Sequence, residues 1–202
     1  MKFHSSLKAI IVSLITLTSL SVQNPVFALV NSGKYETKSE WNTINKIPVK
    51  PPIQIARDDE YWGPKRDFKI QMPGEVLENK NDRLMTINTT TKTVYMIVHK
   101  DVPLDIDSLS SEDIREVLQT ALRQNIDMKG KVVKSTNMVI EGYPGIELLI
   151  QHSDGSQGQY QGYVVRRRIY LIVARTSDEL TTEAANFFNS FRVYPSRIFN
   201  YQ

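Results

Sequence analysis

The segment from residue 168 to residue 175 constrains the fold of this chain most, because it is apolar on both faces. Ile169, Leu171 and Val173 alternate with Tyr170, Ile172 and Ala174. Successive side chains of a β-strand point to opposite faces of the sheet. A strand without a polar face must therefore be covered on both sides, and we predict a central strand between two packed layers. Residues 93–100 have the same property and predict a second strand of this kind.

Further alternating segments and two helical patterns complete the predicted domain. The other strands are predicted at residues 68–72, 83–88, 132–140, 145–152 and 159–166. One helix is predicted from Ser110 or Ser111 to Ile126, and a last helix begins after a cap at Thr176, Ser177 or Asp178. The apolar stripe of the last helix consists of Leu180, Ala184, Phe187, Phe188 and Phe191. Strands joined by short turns, with few helices, predict an α+β fold: a mainly antiparallel β-sheet flanked by helices, an α/β/α sandwich.

The N-terminus has the pattern of a secretory signal peptide. Lys2 and Lys8 precede an apolar run at residues 9–22, and small or compact residues occupy the positions that a signal peptidase reads before a cleavage after Ala28. This run is shorter than the roughly 20 residues of a membrane span. We therefore predict a signal peptide at residues 1–28 and export to the periplasm, the thylakoid lumen or the cell exterior, with no membrane span after cleavage. A retained signal anchor is the alternative.

The exported chain divides by composition into an arm, a domain and a tail. Residues 29–66 are polar, contain several prolines and predict a flexible arm; residues 67–196 form the domain, and 197–202 form the tail. Trp41, Tyr61 and Trp62 are large aromatic residues in the arm, which contains both tryptophans of the chain. Two interpretations remain open for them. They either fix the arm to the domain by burial or serve as anchors for a binding partner.

The charge of the chain gives little reason to expect a nucleic-acid-binding protein. The formal net charge is +3, and the predicted signal peptide supplies two of its lysines. Polyanion binding requires a clustered basic face. The candidate cluster is Arg166, Arg167 and Arg168, at the connection between two predicted strands. It is either a solvated hairpin end or a contact to an acidic protein surface or to anionic lipid headgroups.

Sequence patterns that indicate catalysis are absent. The chain has no cysteine and only three histidines, and it contains neither a Gly-x-Ser-x-Gly motif nor a phosphate-binding glycine loop. We expect His99 and His152 to be ordinary residues at strand ends or core residues with satisfied hydrogen bonds, and Glu147 to pair with an arginine of a neighbouring strand. We therefore predict no catalytic residue, no metal site and no cofactor, and a protein that is not an enzyme.

Four segments resemble those of the PsbP-like superfamily. They are Phe68-Lys69-Ile70-Gln71-Met72-Pro73-Gly74, Gly142-Tyr143-Pro144-Gly145-Ile146-Glu147, Arg168-Ile169-Tyr170-Leu171-Ile172-Val173 and Phe187-Phe188-Asn189-Ser190-Phe191. The resemblance covers about residues 67–194. It implies an α/β/α sandwich, as in extrinsic photosystem II subunits, a eukaryotic Ran-binding branch and exported bacterial proteins of the DcrB type. Residues 75–77 depart from the photosystem II pattern, and no family metal site can be placed on this sequence.

Together these observations predict a non-enzymatic, exported binding or accessory protein. Its expected partner is a protein complex at a membrane surface, which would be photosystem II in a photosynthetic organism. Trp41, Tyr61, Trp62, Arg166, Arg167 and Arg168 are the candidate contact residues. The alternative is a periplasmic ligand-binding protein or hydrolase that uses a pocket between sheet and helices.

Overall fold

The computed structural model describes residues 60–102, 106, 109–125 and 130–198, without the side chains of 124 and 125. The predicted signal peptide, most of the arm and Trp41 lie outside the described residues. The strands are β1 (Glu60–Trp62), β2 (Phe68–Gln71), β3 (Glu75–Lys80), β4 (Arg83–Asn88), β5 (Thr93–Asp101), β6 (Lys131–Ile140), β7 (Tyr143–Gln151), β8 (Gln157–Val165), β9 (Arg168–Thr176) and β10 (Arg192–Val193). The helices are α1 (Ser111–Asn125) and α2 (Thr182–Ser190), and a 3-10 turn follows at Pro195–Arg197.

The strands form two antiparallel sheets. The large sheet has seven strands in the order β3-β4-β5-β9-β8-β7-β6. The small sheet has three strands in the order β1-β2-β10. Hydrogen-bonded neighbours along the large sheet are mostly consecutive in sequence, as expected for hairpin connections. The predicted α+β sandwich with a mainly antiparallel sheet is confirmed.

The strands that are apolar on both faces lie at the centre of the large sheet. Strand β9 pairs with β5 on one side and β8 on the other, and all of its residues are buried. One face of the sheet packs against α1 through a core that includes Leu118, Leu122 and Leu171. The opposite face packs against the small sheet and α2 through a second core. The prediction of covering layers on both sides of β9 is confirmed.

Helix α1 agrees with the sequence prediction, whereas α2 begins later than predicted. The N-cap of α2 is Thr181, not a residue between Thr176 and Asp178. Thr176 remains in β9, where it is paired with Thr93 of β5, and its hydroxyl donates to the carbonyl of Thr91. The strand ladder therefore includes Thr176, the first of the three predicted caps, and Leu180 precedes the helix.

Several other boundaries also differ from the prediction. Strand β1 pairs with β2, so residues 60–62 belong to the domain and not to the arm. Strands β3 and β10 were not predicted. Strand β7 begins at Tyr143, because Glu141 and Gly142 form the turn with φ values of 48° and 81°. The strand predicted to begin at residue 145 therefore begins two residues earlier.

Candidate functional site

Alternation along the small sheet separates a buried face from an outer face. Phe68, Ile70 and Val193 point into the second core. The residues between and beside them are Glu60 and Trp62 on β1, Lys69 and Gln71 on β2, Arg192 on β10, and Tyr194 directly after it. We call these six residues, together with Arg197, the small-sheet face. It is the strongest candidate for a functional surface in the described part of the chain.

Trp62 and Tyr194 form an aromatic stack on the small-sheet face. Their ring centroids are 5.4 Å apart and the planes differ by 16°. Arg197 lies with its guanidinium carbon 4.7 Å from the Tyr194 ring centroid and 5.6 Å from that of Trp62. The Lys69 ammonium is also 5.6 Å from the Trp62 centroid. These distances are typical of cation–π contacts, so two cations lie directly beside the aromatic stack.

A polar groove lies beside this stack, between the small sheet and α2. It has a volume of about 360 Å³. Its walls are three amides, one hydroxyl and three charged groups: Gln71, Asn186, Asn189, Ser190, Glu60, Lys69 and Arg192. The backbone N–H of Gln71 donates to the Ser190 hydroxyl over 2.9 Å, which ties β2 to the end of α2. Such a lining can hydrogen-bond a polar or anionic group.

The cations of the groove face each other. Lys69 and Arg192 are directly opposite in the pairing of β2 with β10. The Lys69 ammonium is 2.6 Å from the Glu60 carboxylate, and this hydrogen bond raises the pKa of Lys69. Arg192 donates through Nη1 to the carbonyls of Asn189 and Phe191 over 2.7 and 2.8 Å. Arg192 is also one of the residues that line the groove.

A buried ion pair positions the small sheet on the large one. The carboxylate of Asp67, directly before β2, is fully buried and accepts hydrogen bonds from Arg168 Nη1 over 2.7 Å and from the Tyr170 hydroxyl. Arg168 also donates to Asp101. The backbone carbonyl of Asp67 accepts from the N–H of Tyr194 over 2.7 Å. The Asp67 segment therefore connects the aromatic stack to the centre of the large sheet.

This arrangement overturns the predicted role of Arg168 as a contact residue. Its side chain is only 4% exposed, because β9 carries it into the interior. Burial alone would lower the pKa of Arg168, but Asp67 and Asp101 hold it above its usual value. Arg166, in contrast, is exposed at the hairpin turn with φ 52°, and Arg167 is half-buried beside it. The structure therefore leaves Arg166 and Arg167 as candidates and removes Arg168.

The other predicted contact residues divide as follows. Trp62 belongs to the small-sheet face. Tyr61 is half-buried on the opposite side of β1, with its ring centroid 6.0 Å from that of Phe68. Tyr61 thus packs against the core, as one of the two interpretations predicted. Trp41 lies outside the described residues.

Sequence reasoning missed Glu183, which anchors α2. Its carboxylate accepts hydrogen bonds from the Asn88 amide over 2.8 and 2.9 Å and from the Tyr95 hydroxyl over 2.8 Å. Burial, followed by the contact with Glu183, raises the pKa of Tyr95. Helix α2 is therefore fixed to the β4–β5 hairpin. Because α2 forms one wall of the groove, this contact also fixes the position of that wall. An acidic residue in the first turn of a helix is too common to have indicated this role.

His152 and Glu147 have structural partners. His152 is buried with Nε2 2.7 Å from the Tyr160 hydroxyl. Glu147 Oε2 accepts from the side-chain amides of Gln159 and Gln161 over 2.6 and 2.8 Å. The predicted arginine partner of Glu147 is therefore wrong, because β8 places two glutamines on that face instead. No group of three metal-ligand side chains occurs among the described residues.

Comparisons with known proteins give a fold. No family model and no curated protein sequence matches the chain. The solved structure of cyanobacterial PsbP (CyanoP) from Synechocystis sp. PCC 6803 superposes with a TM-score of 0.53 at 11% identity, over 75% of this chain and 99% of that one. The Ran-binding protein Mog1p of Saccharomyces cerevisiae gives 0.46 at 10% identity, over 71% of this chain and 98% of that one. LpqN of Mycobacterium tuberculosis, involved in cell envelope biogenesis, gives 0.44 at 12% identity, over 68% and 83%.

Within the described residues, no helix is long and apolar enough to span a lipid bilayer. At 11% identity the similarity to cyanobacterial PsbP establishes architecture and leaves activity open. The resemblance expected from four short sequence segments is thereby confirmed at the level of structure: this chain has the PsbP-like fold.

Proposed function

We propose that this protein is a non-enzymatic, exported accessory protein that docks onto an acidic surface of a membrane-associated protein complex. The docking surface is the small-sheet face. One observation carries the proposal: Lys69 and Arg192 occupy directly opposite positions on that face, next to the stacked rings of Trp62 and Tyr194. Like charges in directly opposite positions of an antiparallel pair destabilise a sheet. Glu60 already pairs with Lys69, so a carboxylate of the partner would compensate the charge of Arg192.

The composition of the face fits a protein partner. Tryptophan, tyrosine and arginine are the residue types that contribute most binding energy at protein interfaces. The rings are already stacked and Arg197 is held by a hydrogen bond to the Arg66 carbonyl, so little conformational entropy is lost on binding. In a photosynthetic organism, photosystem II is the complex that we propose. The N-terminal signal pattern supports a location in the periplasm or the thylakoid lumen.

Salt-dependent retention on native membranes tests the proposal. We expect the protein to sediment with those membranes at low ionic strength and to be released at high ionic strength, because exposed charges are screened. The double variant Lys69→Gln/Arg192→Gln should be released at clearly lower salt, and Trp62→Ala should bind more weakly at every salt concentration. Retention unchanged by these substitutions would show that the small-sheet face is not the docking surface.

Two further variants make the experiment specific: one is a control, and the other tests the alternative docking site. Lys92→Gln removes an exposed cation at the β4–β5 turn, where it pairs with Asp178, and should leave retention unchanged. Arg166→Ala/Arg167→Ala tests the second candidate contact at the β8–β9 turn. Loss of retention in this variant alone would move the docking site to that turn.

The groove supports a second candidate function, the binding of a small polar ligand. Its volume of about 360 Å³ lies in the range of ligand pockets, and its amides offer both donors and acceptors. Calorimetric titration with small dicarboxylates distinguishes the two functions. Heat of binding that disappears in Lys69→Gln/Arg192→Gln, in a protein whose membrane retention is insensitive to those substitutions, would favour the small ligand.

A further inference from the structure

Strand β6 leaves a long sheet edge without a partner among the described residues. It is 10 residues long, lies last in the large sheet and pairs only with β7. Val133 and Val139, which are 66% and 64% exposed, both lie on it. An edge strand presents a row of free backbone N–H and C=O groups, which is a template for another strand.

The two edges of the large sheet differ in how they are protected. The opposite edge, β3, has charged residues at Glu75, Glu78 and Lys80 and an irregular register between Val76 and Glu78. Charges and irregularities of this kind prevent edge-to-edge pairing. In β6 the lysines and the register shift are confined to residues 131–134, and residues 135–140 carry no charge. Only β6 therefore offers a regular, uncharged edge.

We infer that β6 pairs with β6 of a second copy of this chain, in antiparallel orientation, to join the two large sheets into one continuous sheet. The register follows from the bulge between Val132 and Lys134. The regular part of the strand is residues 134–140, and the pairing that uses all of it is centred on Asn137. A two-fold axis perpendicular to the sheet then passes beside Asn137 and keeps each face of the sheet on its own side.

This register makes the edge self-complementary. Ser135 of one copy lies opposite the exposed Val139 of the other, and Thr136 lies opposite Met138. Lys134 lies opposite Ile140, one residue from Glu141 of the other copy, which supplies a carboxylate for its ammonium. No two like charges come to lie opposite each other, so the pairing avoids the repulsion that disfavours charged edges. These features select a second copy rather than an unrelated strand as the occupant.

The absence of cysteine from the chain allows a register-specific test. In the variant Asn137→Cys the two thiols face each other across the axis with Cα atoms about 4.5–5.5 Å apart, within the range of a disulfide. In the matched control Ser135→Cys the two thiols are offset by about 13 Å along the strands and cannot be joined. Under mild oxidation of the full chain we expect a disulfide-linked dimer for Asn137→Cys and monomer for Ser135→Cys on a non-reducing gel.

Mixed oxidation and mass measurements complete the test. Ser135→Cys mixed with Val139→Cys should yield a heterodimer, because these positions are opposite in the inferred register. Light scattering should give the mass of a dimer for the unmodified chain and for Leu77→Lys on the β3 edge, and the mass of a monomer for Asn137→Pro, which removes an edge N–H. Equal crosslinking at positions 135 and 137, or no crosslinking at either, would overturn the inference. Neither result depends on the small-sheet face, so the proposed docking function is tested separately.

Discussion

At the scale of single residues, His99 is an ionisable group in an unfavourable place for a charge. It is 8% exposed, its ring lies 4.9 Å from that of Phe68, and its Nε2 makes no hydrogen bond to the described residues. Burial lowers the pKa of His99 below 6.5; Asp67 opposes this effect and Arg168 adds to it. The folded protein therefore holds His99 neutral where an unfolded chain would protonate it.

This difference makes stability depend on pH in a defined direction. Below about pH 6.5 the unfolded state binds a proton that the folded state does not, so the free energy of unfolding decreases as the pH falls towards the folded-state pKa. The slope contributed by one histidine is at most about 1.4 kcal/mol per pH unit. Urea unfolding at a series of pH values between neutral and mildly acidic should show a steeper loss for the natural protein than for His99→Gln. Parallel curves would contradict the assignment.

At the scale of elements, two glycines on neighbouring strands differ in the room around them. A Cβ atom on Gly145 of β7 would lie 2.3 Å from the Tyr163 ring and 2.7 Å from the Gly162 carbonyl oxygen. A Cβ on Gly162 of β8 would lie 3.1 Å from a methyl group of Leu118 in α1. The first contact involves backbone and a ring that is itself packed against Phe191, whereas the second involves a rotatable side chain.

We therefore expect Gly145→Ala to be clearly more destabilising than Gly162→Ala. Overpacking of a core typically costs about 1–3 kcal/mol, and Gly145→Ala should lie at the upper end of that range. Gly162→Ala should lie at or below its lower end, because Leu118 can shift by a few tenths of an ångström. The free energy of unfolding in urea measures both variants. A larger loss for Gly162→Ala would mean that α1 cannot adjust to the added methyl group.

The longer strands and helix α1 could be predicted from the sequence, whereas the shortest strands could not. Strands apolar on both faces identified the centre of the sheet, and the capping serine identified α1, because both depend on local patterns. Strand β10 has two residues and β1 has three, too few for a period to appear. The sequence also could not show where β9 ends. Thr176 is a good helix cap by residue type, and it stays in the strand because it pairs with β5.

The candidate site was predicted only in part for a related reason. Trp62 was identified by residue type alone. Arg166 and Arg168 look alike in the sequence, but the turn ends between them, so one is exposed and the other enters the core. Lys69 and Arg192 are far apart in the chain and become neighbours through the pairing of β2 with β10. Contacts of this range are not visible in local patterns.

At the scale of the whole molecule, the large sheet is shared by two cores. Leu118 of α1 packs on one face, while Phe68 and α2 pack on the other. Strands β5, β8 and β9 contribute side chains to both cores. Unfolding of one core should therefore destabilise the other. We therefore expect the described domain to unfold in a single cooperative transition.

Tryptophan fluorescence tests this expectation, because the chain has only two tryptophans and one of them can be removed. The probe and the mutation can then be placed on opposite faces of the large sheet. In a Trp41→Phe background, Trp62 is the only tryptophan and reports on the small sheet, whereas Leu118 lies in the core under α1. Leu118→Ala should remove about 2–5 kcal/mol of stability through the cavity that it creates. The unfolding transition seen by Trp62 fluorescence should then shift to lower urea by as much as the transition seen by far-ultraviolet circular dichroism. A fluorescence transition that stays in place while the dichroism shifts would show that the two layers unfold independently.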